Sequence, residues 1–145
     1  MSDFDFVKEK ARQYRGDTLH MVLKAGSGHV DGSCSIAELI ALENDKLALG
    51  KGADDPNRDK FILSKGYVST MSYTFLMDIG FAPKDKVRRY SIPFQGYLDL
   101  KKLPSLDCSK NSLGQGLVIA TEIALGLKKQ CRSEKVCFIT GDGAL

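Results

Sequence analysis

The stretch Val136-Cys137-Phe138-Ile139-Thr140-Gly141-Asp142-Gly143-Ala144-Leu145, with which the chain closes, decides how the fold is read. Val136 to Ile139 is a short apolar run and reads as a buried strand. It leads straight into Gly-Asp-Gly. In an open α/β sheet, ligands bind at the C-terminal edge of the strands. There the two glycines let a backbone come close to a bound group, and the carboxylate between them offers a hard oxygen to a divalent cation. A divalent metal and a diphosphate suit such an edge. A site of that kind needs a following helix and further ligands, so the expectation is the first part of a cofactor-binding domain. Taken alone, Gly-Asp-Gly is also common in ordinary turns, and the reading depends on what precedes it.

Working back from this strand, residues 113–129 show a helical period, with Leu113, Leu117, Ala120, Ala124 and Leu127 on one face. Ser112-Leu113-Gly114-Gln115-Gly116 opens that helix. A helix N-terminus presents free N–H groups and a positive dipole end to an anion, which alone is a weak signal. Residues 91–112 lack a period and read as an extended, site-forming loop. Residues 84–90 suggest a short helix. A helix is expected at 69–79, stopped by Gly80. Phe61-Ile62-Leu63 reads as a short buried strand, reached through the turn-rich residues 50–59. Further back, Ser35 and Glu38 match a capping box at the start of a helix striped by Ile36, Leu39, Ile40 and Leu47. The first helix spans 4–24, with Phe4, Val7, Ala11, Tyr14, Leu19 and Val22 toward the core and Gly16 as a possible break.

Between the first two helices lies Ala25-Gly26-Ser27-Gly28-His29-Val30-Asp31-Gly32-Ser33, expected as a loop. It approaches a dinucleotide fingerprint, but its third glycine is one residue late and no strand precedes it, which excludes that reading. A glycine-rich turn carrying a surface histidine explains these residues by themselves.

The chain has 145 residues, 43% hydrophobic and 27% charged, which is enough for one domain with a real core. Its net charge of +3 comes from scattered pairs such as Arg88-Arg89 and Lys101-Lys102, which read as solvated faces and argue against nucleic acid. No apolar run is long enough to cross a bilayer, so no membrane partner is expected. The acidic start Met1-Ser2-Asp3-Phe4-Asp5 lacks a signal-peptide pattern and favours the cytoplasm. Cys34, Cys108, Cys131 and Cys137 form no C-x-x-C pair, and His20 and His29 complete no zinc spacing, so all four read as reduced thiols. Cys137 is expected as a buried filler of the last strand; Cys34 and Cys108 lie in loops.

These pieces, in order, resemble the N-terminal, diphosphate-binding part of transketolase, as in the N-terminal subunit of a split transketolase. Ser27-Gly28-His29-Val30-Asp31-Gly32 is similar to the family's Ser-Gly-His-x-Gly loop, with Asp31 where a glycine is usual. Asn57-Arg58-Asp59-Lys60-Phe61-Ile62-Leu63-Ser64-Lys65-Gly66 resembles its strand-and-turn signature, Leu113-Gly114-Gln115-Gly116 its Leu-Gly-Gln-Gly, and Gly141-Asp142-Gly143 the start of its thiamine-diphosphate motif. The combination favours transketolase over deoxyxylulose-phosphate synthase. The resemblance implies an α/β fold over residues 1–145: a partial thiamine-diphosphate-binding fold, mostly parallel sheet, with a helical N-terminal portion. It implies a transferase component that moves two-carbon ketol units between sugar or sugar-phosphate substrates, with thiamine diphosphate and Mg²⁺ (or Ca²⁺).

Carried over by position, Asp142 would ligand the metal, and Gly141 and Gly143 would let the backbone approach the diphosphate. Leu113 and Gly114 would lie on the aminopyrimidine side of the cofactor. His29 would be catalytic and hydrogen-bond the sugar. Two departures stand out: the family usually has histidine where this chain has Tyr67, at a cofactor-binding position, and Gly-His-Pro-Glu where the nearest match is Gly96-Tyr97-Leu98-Asp99, with Tyr97 at a substrate-binding position. Histidine titrates near neutral pH, whereas tyrosine stays neutral and donates one hydrogen bond, so a changed substrate is expected. Misalignment at Tyr97 is the alternative there.

In the family, a glutamate on a pyrimidine-binding domain and an asparagine ligand beyond Gly-Asp-Gly complete the site. The expectation is therefore a chain inactive alone, partnered by a C-terminal subunit carrying the pyrimidine-binding domain, oligomeric, and cut short after its motif. An unpaired sheet edge and bare apolar helix faces are expected with it. The alternative is a non-catalytic, transketolase-like binding or regulatory protein.

Overall fold

The first apolar period becomes one uninterrupted helix, α1 (Asp3–Ala25), which runs through Gly16 without a break. A mid-helix glycine costs about 1 kcal/mol relative to alanine. The tertiary burial of Ala11, Tyr14, Thr18, Met21 and Val22 outweighs it. The computed structural model describes residues 3–48, 52–83, 98–101, 103, 106–108 and 114–144. They divide into a first unit, Met1–Lys46 with Tyr67–Tyr97, and a second, Leu47–Gly66 with Leu98–Leu145. The expected helix at 84–90 lies outside the described residues, as does most of the expected loop at 91–112.

In the first unit, α1 packs against α2 (Val30–Cys34), α3 (Ala37–Lys46) and α4 (Ser69–Asp78). Helix α2 is a correction: it occupies part of what reads as a loop in the sequence. Helix α4 is buried on every side from Ser69 to Met77. Its small hydroxyl residues let neighbouring helices approach: Thr70 Oγ1 meets Ser33 Oγ of α2 at 2.9 Å, Thr74 Oγ1 donates to the Met71 carbonyl at 2.6 Å, and Ser72 Oγ is buried without a hydrogen-bond partner among the described residues. Two bonds close α4, from the Phe81 N–H to the Leu76 carbonyl and from the Gly80 N–H to the Met77 carbonyl, with Gly80 at φ +78° as the expected stop.

A polar cluster ties three of these helices together. The Tyr14 hydroxyl donates to Asp78 Oδ2 at 2.8 Å, Asn44 Nδ2 donates to both at 3.1 Å, and Lys10 Nζ reaches the same carboxylate at 2.7 Å. Burial, then the hydrogen bond to the Asp78 carboxylate and its charge, push the Tyr14 phenol far above its ordinary range. Arg15 links α1 to α3 by pairing with Glu38 at 2.6 Å, and it caps the Cys34 carbonyl of α2. The Ser35 hydroxyl donates to the Gly32 carbonyl at 2.7 Å.

In the second unit, β1 (Lys60–Leu63) and β2 (Val136–Ile139) pair in parallel, Lys60 opposite Val136 and Leu63 opposite Ile139. Parallel strands need a long crossover, and α5 (Gln115–Lys129) feeds β2 at the end of it. Helix α5 packs on both strands. A Schellman pair closes it, from the Arg132 N–H to the Leu127 carbonyl and from the Cys131 N–H to the Lys128 carbonyl, with Cys131 at φ +54°. The fold is thus α/β, helical with a small parallel sheet, as expected.

The Asn57-Arg58-Asp59 signature is scaffolding. The Asp59 carboxylate accepts the Ala48 N–H at 2.9 Å and the Lys135 N–H at 2.7 Å, tying together the segments that lead into both strands. Arg58 is 4% exposed and donates to the carbonyls of Ala53 and Asp59 and to the Asp107 carboxylate at 2.8 Å. Asp107 accepts the Phe61 N–H as well, at 2.8 Å.

Several expected core residues stand exposed. Phe4 is 76% exposed, Leu19 45% and Leu39 51%, and in α5 Leu117 and Ala124 face outward. Leu47 is half-buried and follows the end of α3. Ile36, Ile40, Ala120 and Leu127 are buried as read. All four cysteines lie outside disulfides; Cys34, Cys108 and Cys137 are half-buried and Cys131 is exposed.

Asp59→Ala orphans two backbone donors that now meet a carboxylate. It should cost about 3 kcal/mol or more in urea unfolding, with Asp59→Asn recovering part. A loss below about 1 kcal/mol would show that the strand starts do not depend on this side chain. The Tyr14 environment sets a second expectation. A phenol raised in the fold contributes stability below its unfolded value, about pH 10, and loses that contribution as pH rises toward the folded value. In an alkaline titration followed by tyrosinate absorbance, Tyr14 should ionise late and together with unfolding, and Tyr14→Phe should abolish that late step.

Candidate functional site

Helix α1 ends at Ala25, and the chain turns back on it: the Gly26 N–H donates to the Val22 carbonyl at 3.0 Å. Gly28 sits at φ +151°, and a Cβ there would lie 2.7 Å from Val22 Cγ2. The turn therefore closes on the last turn of α1 only with glycine at this position. That closure fixes where His29 emerges. His29 is the N-cap residue of α2, at φ −100° and ψ 87°, with its side chain exposed and making no capping bond. Asp31, which stands where the family has glycine, lies in the first turn of α2, where an acidic side chain suits the helix dipole.

The structure brings His29 and Tyr67 together. Their ring centroids are 5.5 Å apart with planes at 62°, an edge-on contact. Tyr67 lies in the 3-10 turn Gly66–Val68 that precedes α4 and is half-buried. Its ring lies over Gly32, where an added Cβ would be 2.8 Å from Tyr67 Cε2 and 3.1 Å from Val68 Cγ1.

The second candidate region belongs to the other unit. The ladder between β1 and β2 is extended by the Ser64 N–H, which donates to the Ile139 carbonyl at 2.7 Å. Both strands thus end at one edge, where Gly141 is half-buried and the 3-10 turn Asp142–Ala144 begins. Asp142 and Gly143 are exposed, and nothing lies within 4 Å of a Cβ added at Gly143. Ser64 Oγ is buried at this edge without a hydrogen-bond partner among the described residues. Helix α5 packs on the strand it feeds through the short turn 130–135, so it runs antiparallel to β2 and its N-terminal end lies toward the same edge. Gly114 caps that end at φ +83°, a backbone only glycine adopts without strain, and it has no side chain with which to cap the first N–H groups.

An anion with a bound cation fits what this edge presents: a glycine-capped helix N-terminus, glycine backbones with open space, one exposed carboxylate and one unpartnered hydroxyl. Among the described residues no group of three or more His, Cys, Asp or Glu side chains gathers to hold a metal. Leu113 and Tyr97 lie outside the described residues. Sequence reading did not single out Gly32 or Ser64, because one looks like any loop glycine and the other like any strand-end serine.

The family model for transketolase, thiamine diphosphate binding domain, matches residues 7–135. Transketolase of Pongo abelii is 32% identical over 145 residues, covering 96% of this chain and 23% of its own. The 6-deoxy-6-sulfo-D-fructose transketolase subunit SqwG of Clostridium sp. (strain MSTE9) is 30% identical, covering 94% of this chain and 52% of its own. An apulose-4-phosphate transketolase subunit of Actinobacillus succinogenes is also 30% identical, over 98% of this chain and 54% of its own. The crystal structure of transketolase from Campylobacter jejuni matches in fold with a TM-score of 0.82 at 24% identity, over 97% of this chain and 24% of that one. This chain thus spans about a quarter of the length of the full transketolases and about half that of the named subunits.

The closure at Gly28 is directly testable. Gly28→Ala combines a strained backbone with a clash on Val22, and it should cost about 2 kcal/mol or more in urea unfolding. A loss under about 0.5 kcal/mol would show that the turn re-forms around a methyl group.

Proposed function

The chain belongs to the transketolase family through its thiamine-diphosphate-binding domain, and on that premise we propose that it serves as the diphosphate-binding section of a two-carbon ketol transferase. The observation that carries this reading is the parallel-strand edge, with Asp142 exposed between Gly141 and the open backbone of Gly143 and the Gly114-capped end of α5 directed toward it. Asp142 would contribute one oxygen to a Mg²⁺ (or Ca²⁺) ion. Gly141 and Gly143 would let the backbone close on the diphosphate that this ion neutralises. The Gly114 end of α5 would add N–H groups and dipole on the cofactor's side, with Leu113 beside it. When bound, thiamine diphosphate supplies the nucleophilic carbon and the electron sink needed to cleave a ketose.

His29 would hydrogen-bond a sugar hydroxyl, its exposed imidazole able to donate and accept. Tyr67 would present a flat ring and a neutral hydroxyl where most of the family has histidine. The substrate would be a sugar or sugar phosphate other than the usual pentose-phosphate pair, with Tyr97 as a further contact. Relatives named for 6-deoxy-6-sulfo-D-fructose and for apulose 4-phosphate support a broadened substrate class for this branch. Those two relatives are named as subunits, which supports a site completed by a second polypeptide carrying the pyrimidine-binding domain, in an oligomer. Without that domain the chain would not turn over substrate. Four cysteines outside disulfides support a reducing, cytoplasmic setting.

Calorimetric titration of thiamine diphosphate with Mg²⁺ tests the reading, on the chain alone and then with a pyrimidine-domain partner. Binding should appear with the partner present. Loss of an outer partner of a metal ligand weakens metal binding by about 10- to 100-fold, so Asp142→Ala, which removes a ligand itself, should weaken it on the order of 100-fold. Binding unchanged in Asp142→Ala would overturn the metal assignment. No binding even with the partner would favour a non-catalytic, regulatory relative.

A further inference from the structure

We infer that Gly32 and Tyr67 are positioning residues for His29: the missing side chain at Gly32 seats the Tyr67 ring, and the edge of that ring sets the direction of the imidazole. The inference rests on the proposed function only for what His29 then touches.

The argument starts from an exposed histidine. His29 projects from the N-cap of α2 with no capping bond from its side chain. An imidazole so placed would sample several rotamers unless a neighbour selects one. Among the described residues, the ring that meets it is Tyr67, edge-on at 5.5 Å. Edge-on aromatic pairs are attractive beyond the area they bury, because the positive ring edge faces the negative ring face. Such a contact biases rotamer populations without locking them. It suits a side chain that must still meet a substrate.

The position of Tyr67 is in turn dictated by its floor. A Cβ at residue 32 would stand 2.8 Å from Tyr67 Cε2 and 3.1 Å from Val68 Cγ1. The first distance is shorter than side chains tolerate, so one partner would have to move. Val68 is fully buried and has no room to give. Helix α2 is pinned as well: Ser33, the next residue, is fully buried and pairs with Thr70 in the first turn of α4, and the Cys34 carbonyl is held by Arg15. With α2 and Val68 fixed, a Cβ at residue 32 would displace the Tyr67 ring, and displacing it breaks the edge-on contact with His29. Gly32 acts through Tyr67, and Tyr67 acts on His29. A histidine at residue 67 would bring a shorter ring and a titratable group, so the tyrosine and the glycine beneath it form one device.

Side-chain proton–carbon NMR spectra of the 145-residue chain test this, because the chain has two histidines and His20→Gln assigns them. Gly32→Ala should shift the His29 ring signals. Tyr67→Leu should shift them as well, Tyr67→Phe should leave them in place, and Gly32→Ala added to Tyr67→Leu should produce no further change. A merely structural role for Gly32 would move His29 equally with or without the tyrosine ring, and that outcome overturns the inference. Unchanged His29 signals in Gly32→Ala overturn it too. If Gly32→Ala does not fold, the remaining pair decides, since identical His29 signals in Tyr67→Phe and Tyr67→Leu end the proposal. Apulose 4-phosphate, for which one relative is named, added to the complex with its partner separates the two readings. His29 signals that follow Tyr67 but ignore the sugar phosphate would retire the substrate role of His29 and leave its positioning by Tyr67 standing.

Discussion

The carboxylate of Asp59 holds the second unit in register. It accepts one backbone N–H from the segment before β1 and one from the residue before β2, so both parallel strands start from the same anchor. A parallel pair of four residues each is weak by itself, since its slanted bonds are few and its partners are far apart in sequence. Charge-assisted bonds to backbone donors are stronger than neutral ones. Arg58 extends the anchor to Asp107, whose carboxylate also takes the Phe61 N–H, and the pair is nearly buried. Breaking such a pair strands a charge in low dielectric, which makes the arrangement hard to replace piecemeal. Everything at the C-terminal edge, from Ser64 to Asp142, inherits its position from these anchors at the opposite end of the strands.

The first unit is organised by close approach. Three of its contacts exist because a side chain is absent or small: the turn at Gly28 closing on Val22, the Tyr67 ring resting over Gly32, and Ser33 meeting Thr70 between α2 and α4. Helix α4, buried on every side, works for the same reason, its serines and threonines taking little room and Thr74 bonding back to the Met71 carbonyl. The polar cluster of Tyr14, Asp78, Asn44 and Lys10 then fixes the angles among α1, α3 and α4 with directional bonds that apolar packing lacks. His29 and Tyr67 sit on top of this frame, so the geometry of the candidate substrate wall depends on how tightly small residues let the helices pack.

Apolar periodicity was a good guide to where helices run and a poorer guide to which of their faces are covered. Helices α1, α4 and α5 and both strands fall within a few residues of their expected bounds. Phe4, Leu19, Leu39 and Leu117 nonetheless stand exposed, although each lies on an apolar stripe. A period records that a face is apolar; it does not say what lies against it. Glycine content misled in the other direction. Residues 30–34 form a helix inside a segment that reads as loop, because the positive-φ glycines, Gly26 and Gly28, precede it while Asp31 and Gly32 accept a helical backbone.

By itself, the sequence determined the family, the places of the longer helices and the strand that ends in Gly141-Asp142-Gly143. Those follow from local period and from short motifs whose residue types are dictated by backbone geometry and by the chemistry of an anion with its cation. The tertiary structure decided the rest. It turned Arg58 and Asp59 from a signature into a clamp, and it placed Tyr67 edge-on against His29 with Gly32 beneath. These are contacts between residues far apart in the chain, and their existence turns on distances of a few tenths of an ångström. No local pattern carries that information, because it is set by the packing of several elements at once.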